Sequence, residues 1–263
     1  MKNNLARDIG GEIFYLEKEE IQFLQSTWKS INILSNMDLN IGLDAQTKTS
    51  IHDEMWRNVI AEYDANNLSN YLRSNSFNSS PEFSMLWRIW LHDENNHYIG
   101  LRRIYCSIYN KCEKEVHKEV ISRIPVFMEI SHFLKDEFTL CVCLAYDELA
   151  SARGYGDAFE LYDSFGYPCI SQWIRLTAND EMNHAINART LLSTNYKHRL
   201  NEVPDILQRV VKEEHINPDD YKATFLFDHG DDQGNNPFTR DFLKKCANDT
   251  CSFLSVPLAF EEM

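Results

Sequence analysis

Two stretches of this chain are near-copies of each other. Asp93-Glu94-Asn95-Asn96-His97 and Asp180-Glu181-Met182-Asn183-His184 both read Asp-Glu-x-Asn-His. A Glu and a His three residues apart on a helix lie on one face, so both can reach a single metal ion. A lone Glu-x-x-His carries little weight, because a chain this rich in acids contains one by chance. Glu129-Ile130-Ser131-His132 is such a case: it has no flanking repeat and no matching partner helix.

The setting of the two copies is what constrains the fold. Pro81 stands 13 residues before Glu94, and Pro168 stands 13 before Glu181. Proline suits the first turn of a helix, and Glu82 behind Pro81 adds to that at the first of them, so each proline opens a helix and each motif sits about 20 Å along it. A preceding antiparallel helix must then bring a carboxylate to the same height. Glu148 lies 20 residues before Pro168 and Glu62 lies 19 before Pro81, so the half-repeats run Glu62 to Glu94 (32 apart) and Glu148 to Glu181 (33 apart).

Nine glycines, seven prolines and apolar residues at three- and four-residue spacing predict a mainly helical chain. Helices are expected from about 16 to 34 and from 51 to 73. Others are expected from Pro81 past Arg103, from Phe138 to a break near Gly154 and Gly156, from Pro168 to about Leu192, and from Pro204 through Val211. A helical piece around 126 to 134 is placed in the long connection, and 228 to 234 is placed in a loop. The last 45 residues receive no role. Two helical hairpins joined by a long crossover give an all-α, four-helix bundle core at about 50–195 within a single domain of 1–263. Two of its helices carry a lone Glu and two carry Glu-x-x-His. Such a ligand set holds two iron or two manganese ions, and four carboxylates come close to balancing two divalent charges. Trp87, Ile89 and Trp90 around one motif, with Trp173, Ile174 and Leu176 around the other, speak for buried rather than solvated acids.

The run from Trp87 to His97 resembles the Trp-x-Arg-x-Trp-x-x-x-Glu-Asn-x-His segment of the soluble acyl-carrier-protein desaturases. Thr177 to His184 is similar to their second Glu-x-x-His segment, and Tyr146-Asp147-Glu148-Leu149-Ala150-Ser151 resembles their third-helix motif. The likeness covers roughly residues 50 to 195 and implies a ferritin-like bundle with a di-iron centre. It implies Glu94, His97, Glu148, Glu181 and His184 as metal ligands. Ser151 would stand where the family has a hydroxyl near the oxygen-binding face, or it simply eases helix packing. Asp180 would be an acceptor orienting a ligating histidine, most simply His97. The first ligand helix departs from the family. Asn67-Leu68-Ser69-Asn70-Tyr71 matches the tail of its motif, yet a gap-free match puts Ala65 at the ligand position. Glu62 fits the internal repeat and is preferred, Asp64 is the reserve with a π-bulge able to bring either into place, and Glu54 lies about 12 Å further from the loop.

The resemblance implies oxygen-dependent removal of hydrogen from an unactivated carbon, with desaturation of an acyl chain on a carrier protein as the specific expectation. A hydroxylase or N-oxygenase acting on a free small molecule or amino acid is the alternative, and a non-catalytic iron-binding bundle is a third reading. No dinucleotide fingerprint is visible, so electrons are expected from a ferredoxin-like donor. The family likeness implies a homodimer.

Charge narrows the partners. Forty acids against 26 bases leave a net charge of −14, which disfavours nucleic acid and opposes docking of an acidic carrier protein. The stretch 100–123 runs the other way, with six bases (Arg102, Arg103, Lys111, Lys114, Lys118, Arg123) against three acids, and offers a local basic patch or a solvated helix face. Seven cysteines with no Cys-x-x-Cys pair read as reduced, buried thiols. No apolar run approaches the length of a membrane span and the first residues lack a signal-peptide core, so a cytoplasmic location is expected.

Overall fold

The computed structural model describes residues 21–35, 41–216 and 238–261, together with two short paired strands near the N-terminus. Those strands, β1 (Leu5–Arg7) and β2 (Ile13–Tyr15), form a three-residue antiparallel ladder. Among the described residues all other regular structure is helical: α1 (Ser30–Ile33), α2 (Ala45–Ser74), α3 (Pro81–Tyr109), α4 (Glu113–Ile121), α5 (Glu137–Asp157), α6 (Phe159–Ser164), α7 (Pro168–Asn195), a 3-10 turn (Lys197–Glu202), α8 (Val203–Ile216) and α9 (Arg240–Phe253).

Three of the four long helices start on a side-chain cap. Asp44 accepts from the Thr47 amide at the head of α2, Ser80 from the Phe83 amide at α3, and Asp136 from the Thr139 amide at α5. Pro81 and Pro168 occupy the first turns of α3 and α7. Gly166 enters α7 with φ at +79°, a conformation that disfavours a side chain. Helix α2 packs on α3, α5 on α7, and α3 on α7, so two hairpins close into one bundle. Glu137, in the first turn of α5, accepts from both the amide and the hydroxyl of Ser80 at 2.6 and 2.8 Å, which pins the start of one hairpin's second helix to the start of the other hairpin. Helices α8 and α9 pack on each other and on α5.

Three expectations change. The helix expected over 16–34 is absent from 21–29, where the chain runs extended, and only Ser30–Ile33 is helical; residues 16–20 lie outside the described set. Ile21, Leu24, Trp28 and Ile31 have helical spacing, but the backbone of this segment is satisfied from elsewhere. Leu24 exchanges hydrogen bonds with the Asn187 side chain, and the Ser30 amide donates to Asn96 Oδ1 at 2.7 Å. The piece expected around 126–134 is a series of turns, with Phe133 bonded back to Ile130, and the regular helix of that connection is α4, upstream of it. Helix α5 runs through Gly154 and Gly156 to Asp157. The tail without a role contains α9, while the loop expected at 228–234 lies outside the described residues. Among the described residues no helix is long and apolar enough to cross a membrane.

Candidate metal centre

Helical periodicity turns Glu94 and His97 of α3, and Glu181 and His184 of α7, into the space between the hairpins. Glu62 of α2 and Glu148 of α5 reach the same level. All six residues are buried, each with 0 to 6% of its surface exposed. They fall into two groups in which one donor atom per residue lies within 4.8 Å of the others: Glu62, Glu94, His97 and Glu181, and Glu94, Glu148, Glu181 and His184. Glu94 and Glu181 belong to both. Two metal ions sharing two carboxylates is what such an overlap accommodates.

The contacts around the histidines are reciprocal. His97 Nδ1 faces Glu181 at 3.2 Å and Glu62 at 3.5 Å, while its Nε2 donates to Asp180 at 3.1 Å. His184 Nδ1 faces Glu148 at 3.0 Å, Glu181 at 3.1 Å and Glu94 at 3.4 Å, while its Nε2 donates to Asp93 at 3.2 Å. An aspartate therefore sits behind each imidazole and directs Nδ1 toward the carboxylates.

The electrostatics are those of a site built for cations. Burial first, and then the neighbouring Glu181, Glu62 and Glu148, push Glu94 well above the ordinary carboxylate range. Burial likewise raises Glu148, to about 8, against the pull of His184. Burial works against Glu181 too, but His97 and His184 outweigh it and hold that carboxyl below its usual range. Both histidines resist charge through burial, yet the carboxylates around them raise each well above the ordinary imidazole value. Protons thus stand in the positions that positive ions would fill. Three buried atoms, Glu62 Oε2, Glu94 Oε1 and His97 Nδ1, face one another's groups without a well-aligned hydrogen bond. Native interiors rarely leave such atoms unmet, and each is a metal-binding donor. The residues present therefore fit a pair of divalent ions held by oxygen and nitrogen.

Among the acids weighed for α2, the structure brings Glu62 to the centre. Asp64 is fully buried elsewhere, accepting from Asn67 at 2.6 Å and pairing with Arg123 at 3.2 Å. Glu54 belongs to neither group, and α2 is a continuous α-helix without a π-bulge. Asp180 stands behind His97. Ser151 is half-buried on α5, three residues after Glu148. The basic stretch is partly spent inside the fold: Arg102 pairs with Glu113 and Arg123 with Asp64. All seven cysteines are free, and none enters the two groups.

Several partners were not anticipated. Asp93 was readable, since it precedes Glu94 as Asp180 precedes Glu181. Trp90 donates its indole N–H to Glu148 at 2.6 Å, and Tyr155 donates its hydroxyl to Glu62. The extended segment closes over the His97 side, where Ser26 and Trp28 both donate to Asp180 and the Trp28 ring stacks on His97 at 5.9 Å. Beside His184 a tight gap lined by Leu86, Trp90, Leu144, Asn187 and Ala188 has no room for a water molecule. Comparisons with models of protein families, with curated proteins and with solved structures found no match.

Proposed function

We propose that this protein is an oxygen-dependent oxidoreductase with a non-haem di-iron centre in a ferritin-like bundle. Glu62, Glu94, His97, Glu148, Glu181 and His184 are its ligands. The observation that carries this reading is the overlap of the two donor groups on Glu94 and Glu181. A single-metal site would have no use for six buried donors, and a solvated acidic face would not bury them. Manganese accepts the same oxygen and nitrogen set.

Two ferrous ions bound there would supply the electrons that make O₂ able to take hydrogen from an unactivated carbon. The chain's own residues set the conditions for that chemistry. Asp180 and Asp93 orient the two imidazoles, and Trp90 and Tyr155 fix Glu148 and Glu62. The apolar packing of Leu86, Leu144 and Ala188 beside His184 excludes water and offers a surface of the kind a hydrocarbon segment would meet. Ser151 is proposed to stand near the oxygen-binding face.

The substrate proposed on the resemblance between Trp87–His97 and the acyl-carrier-protein desaturases is an acyl chain on a carrier protein, with a ferredoxin-like donor and a homodimeric assembly. The net charge of −14 favours a second reading, oxidation of a free small molecule or amino acid, because an acidic carrier is repelled on approach. The deciding experiment is anaerobic ferrous titration of metal-free protein, followed by mixing with O₂ under an absorption probe. Two irons per chain and a transient oxygen-dependent band are expected. Acceleration of its decay by carrier-bound acyl chains supports the first substrate, and acceleration by free compounds supports the second. Two irons without any oxygen-dependent species would mean a non-catalytic iron-binding bundle.

A further inference from the structure

Two aromatic donors occupy equivalent places around the ligand set. Trp90 of α3 donates to Oε1 of Glu148 at 2.6 Å, and Tyr155 of α5 donates to Oε1 of Glu62. Glu148 and Glu62 are the two carboxylates that belong to one donor group each. In both, the remaining oxygen faces a histidine. Glu148 Oε2 lies 3.0 Å from His184 Nδ1, and Glu62 Oε2 lies 3.5 Å from His97 Nδ1. Glu62 Oε2 is buried without a well-aligned hydrogen bond. Tyr155 follows Glu148 by seven residues, two helical turns, so the helix that supplies one group's glutamate also braces the other's.

We infer that Tyr155 is a positioning residue for the metal position formed by Glu62 and His97. By holding Oε1 it presents Oε2 as the single ligating oxygen of Glu62, as Trp90 does for Glu148 at the other position. This rests on the two-metal reading of the site. The physical reason is the cost of the alternative. An Oε1 that accepts from Tyr155 has one lone pair engaged and is a poorer metal donor than Oε2, which has no well-aligned hydrogen bond. Turning Glu62 to bind evenly through both oxygens would weaken the bond from Tyr155. One-oxygen binding at each glutamate, with one histidine and two shared carboxylates, would limit the protein to four donor atoms per ion, fewer than the six an octahedral ion takes, and so would leave room for a further ligand at both.

The test is anaerobic titration of metal-free protein with cobaltous ion, followed by calorimetry and by the cobalt visible absorption. Wild type is expected to bind two ions. Tyr155→Phe should weaken one binding step by about 10- to 100-fold, the range found when a group supporting a ligand is removed, and leave the other within about threefold. Glu62→Gln should abolish that same step, with no further loss in the double variant. Trp90→Phe should weaken the opposite step, the one that Glu148→Gln removes. A Tyr155→Phe protein with both steps unchanged, or with both weakened alike as general loosening would produce, overturns the inference alone. Wild type binding fewer than two ions overturns it together with the proposed function.

Discussion

His184 donates from Nε2 to Asp93 across the bundle at 3.2 Å, the counterpart of the bond from His97 to Asp180 at 3.1 Å. Each aspartate directly precedes the shared glutamate of its own motif and serves the histidine of the other. One Asp-Glu pair thus places a carboxylate in the centre and the next one behind the opposite imidazole. Asp93→Ala is expected to weaken one metal-binding step by about 10- to 100-fold, and Asp180→Ala the other. Competition with a chelator measures both, and unchanged affinities in either variant would remove the orienting role.

The metal-free protein should lose stability as pH rises. The native pKa values of Glu94, Glu148, His97 and His184 are raised, so the folded state holds protons that the unfolded chain has released. Stability then falls with pH from the ordinary carboxylate range upward, through about 8 for Glu148 and onward for the histidines. Glu181 works oppositely, since its lowered pKa costs stability only as pH drops below the ordinary carboxylate range. Melting temperatures of the metal-free chain between pH 5 and 8 should therefore decline. Divalent ions, which replace those protons, should flatten or reverse the slope. A rising melting temperature without metal would contradict the site's charge balance.

Glu62 and Asp64 are two residues apart and have different work. Asp64→Asn breaks a buried pairing with Arg123, whose guanidinium remains partly exposed and can rehydrate, so a loss of about 1–3 kcal/mol in urea unfolding is expected. Its metal stoichiometry should stay at the wild-type value. Glu62→Gln should lower that stoichiometry. The reverse pattern would restore Asp64 as the ligand.

Trp28 ties the extended N-terminal segment to the bundle through Asp180 and His97. Trp28→Phe keeps a ring over the histidine and removes the indole donor. A hydrogen bond to a carboxylate contributes about 1.5–3 kcal/mol, and partial exposure of Trp28 reduces this, so a stability loss of about 1–2 kcal/mol is expected in denaturant unfolding. A variant as stable as wild type would show the segment to be only loosely attached.

Gly100→Ala sets two effects against each other. Helix propensity favours alanine in α3 by about 1 kcal/mol. A Cβ there would run into the Trp173 indole and the Ser30 hydroxyl, a close approach that the hydrogen bond between those two groups at 2.8 Å helps to hold. Overpacking of a fixed ring costs about 1–3 kcal/mol. The net result expected in urea unfolding is a loss of about 0–2 kcal/mol. A gain would mean that Trp173 moves freely.

Much of the frame was legible locally. Pro81 and Pro168 mark helix starts through their own turn chemistry. The spacing from Glu62 to Glu94, and from Glu148 to Glu181, reports the heights of facing residues on paired helices. The segment from Ile21 to Lys29 was misread because its apolar residues fall at helical intervals while its backbone hydrogen bonds go to α3 and α7. Helix α4 and the turns at 126–134 were exchanged for the same reason, since short amphipathic pieces are decided by what they pack against.

The sequence by itself therefore determined an all-α chain with two matched motif helices and the candidate donors they carry. Those features depend on periodicity and caps within a few turns, which are short-range properties of the chain. The tertiary structure decided the rest: Glu62 rather than Asp64 at the centre, the crossed bonds from His97 to Asp180 and from His184 to Asp93, Tyr155 behind Glu62, and an extended strap where a helix was expected. Each of these joins residues far apart in the chain, as Ser26 joins Asp180 across 154 positions. Such pairings are selected by whether buried polar groups find partners when the helices close, and no local pattern records that.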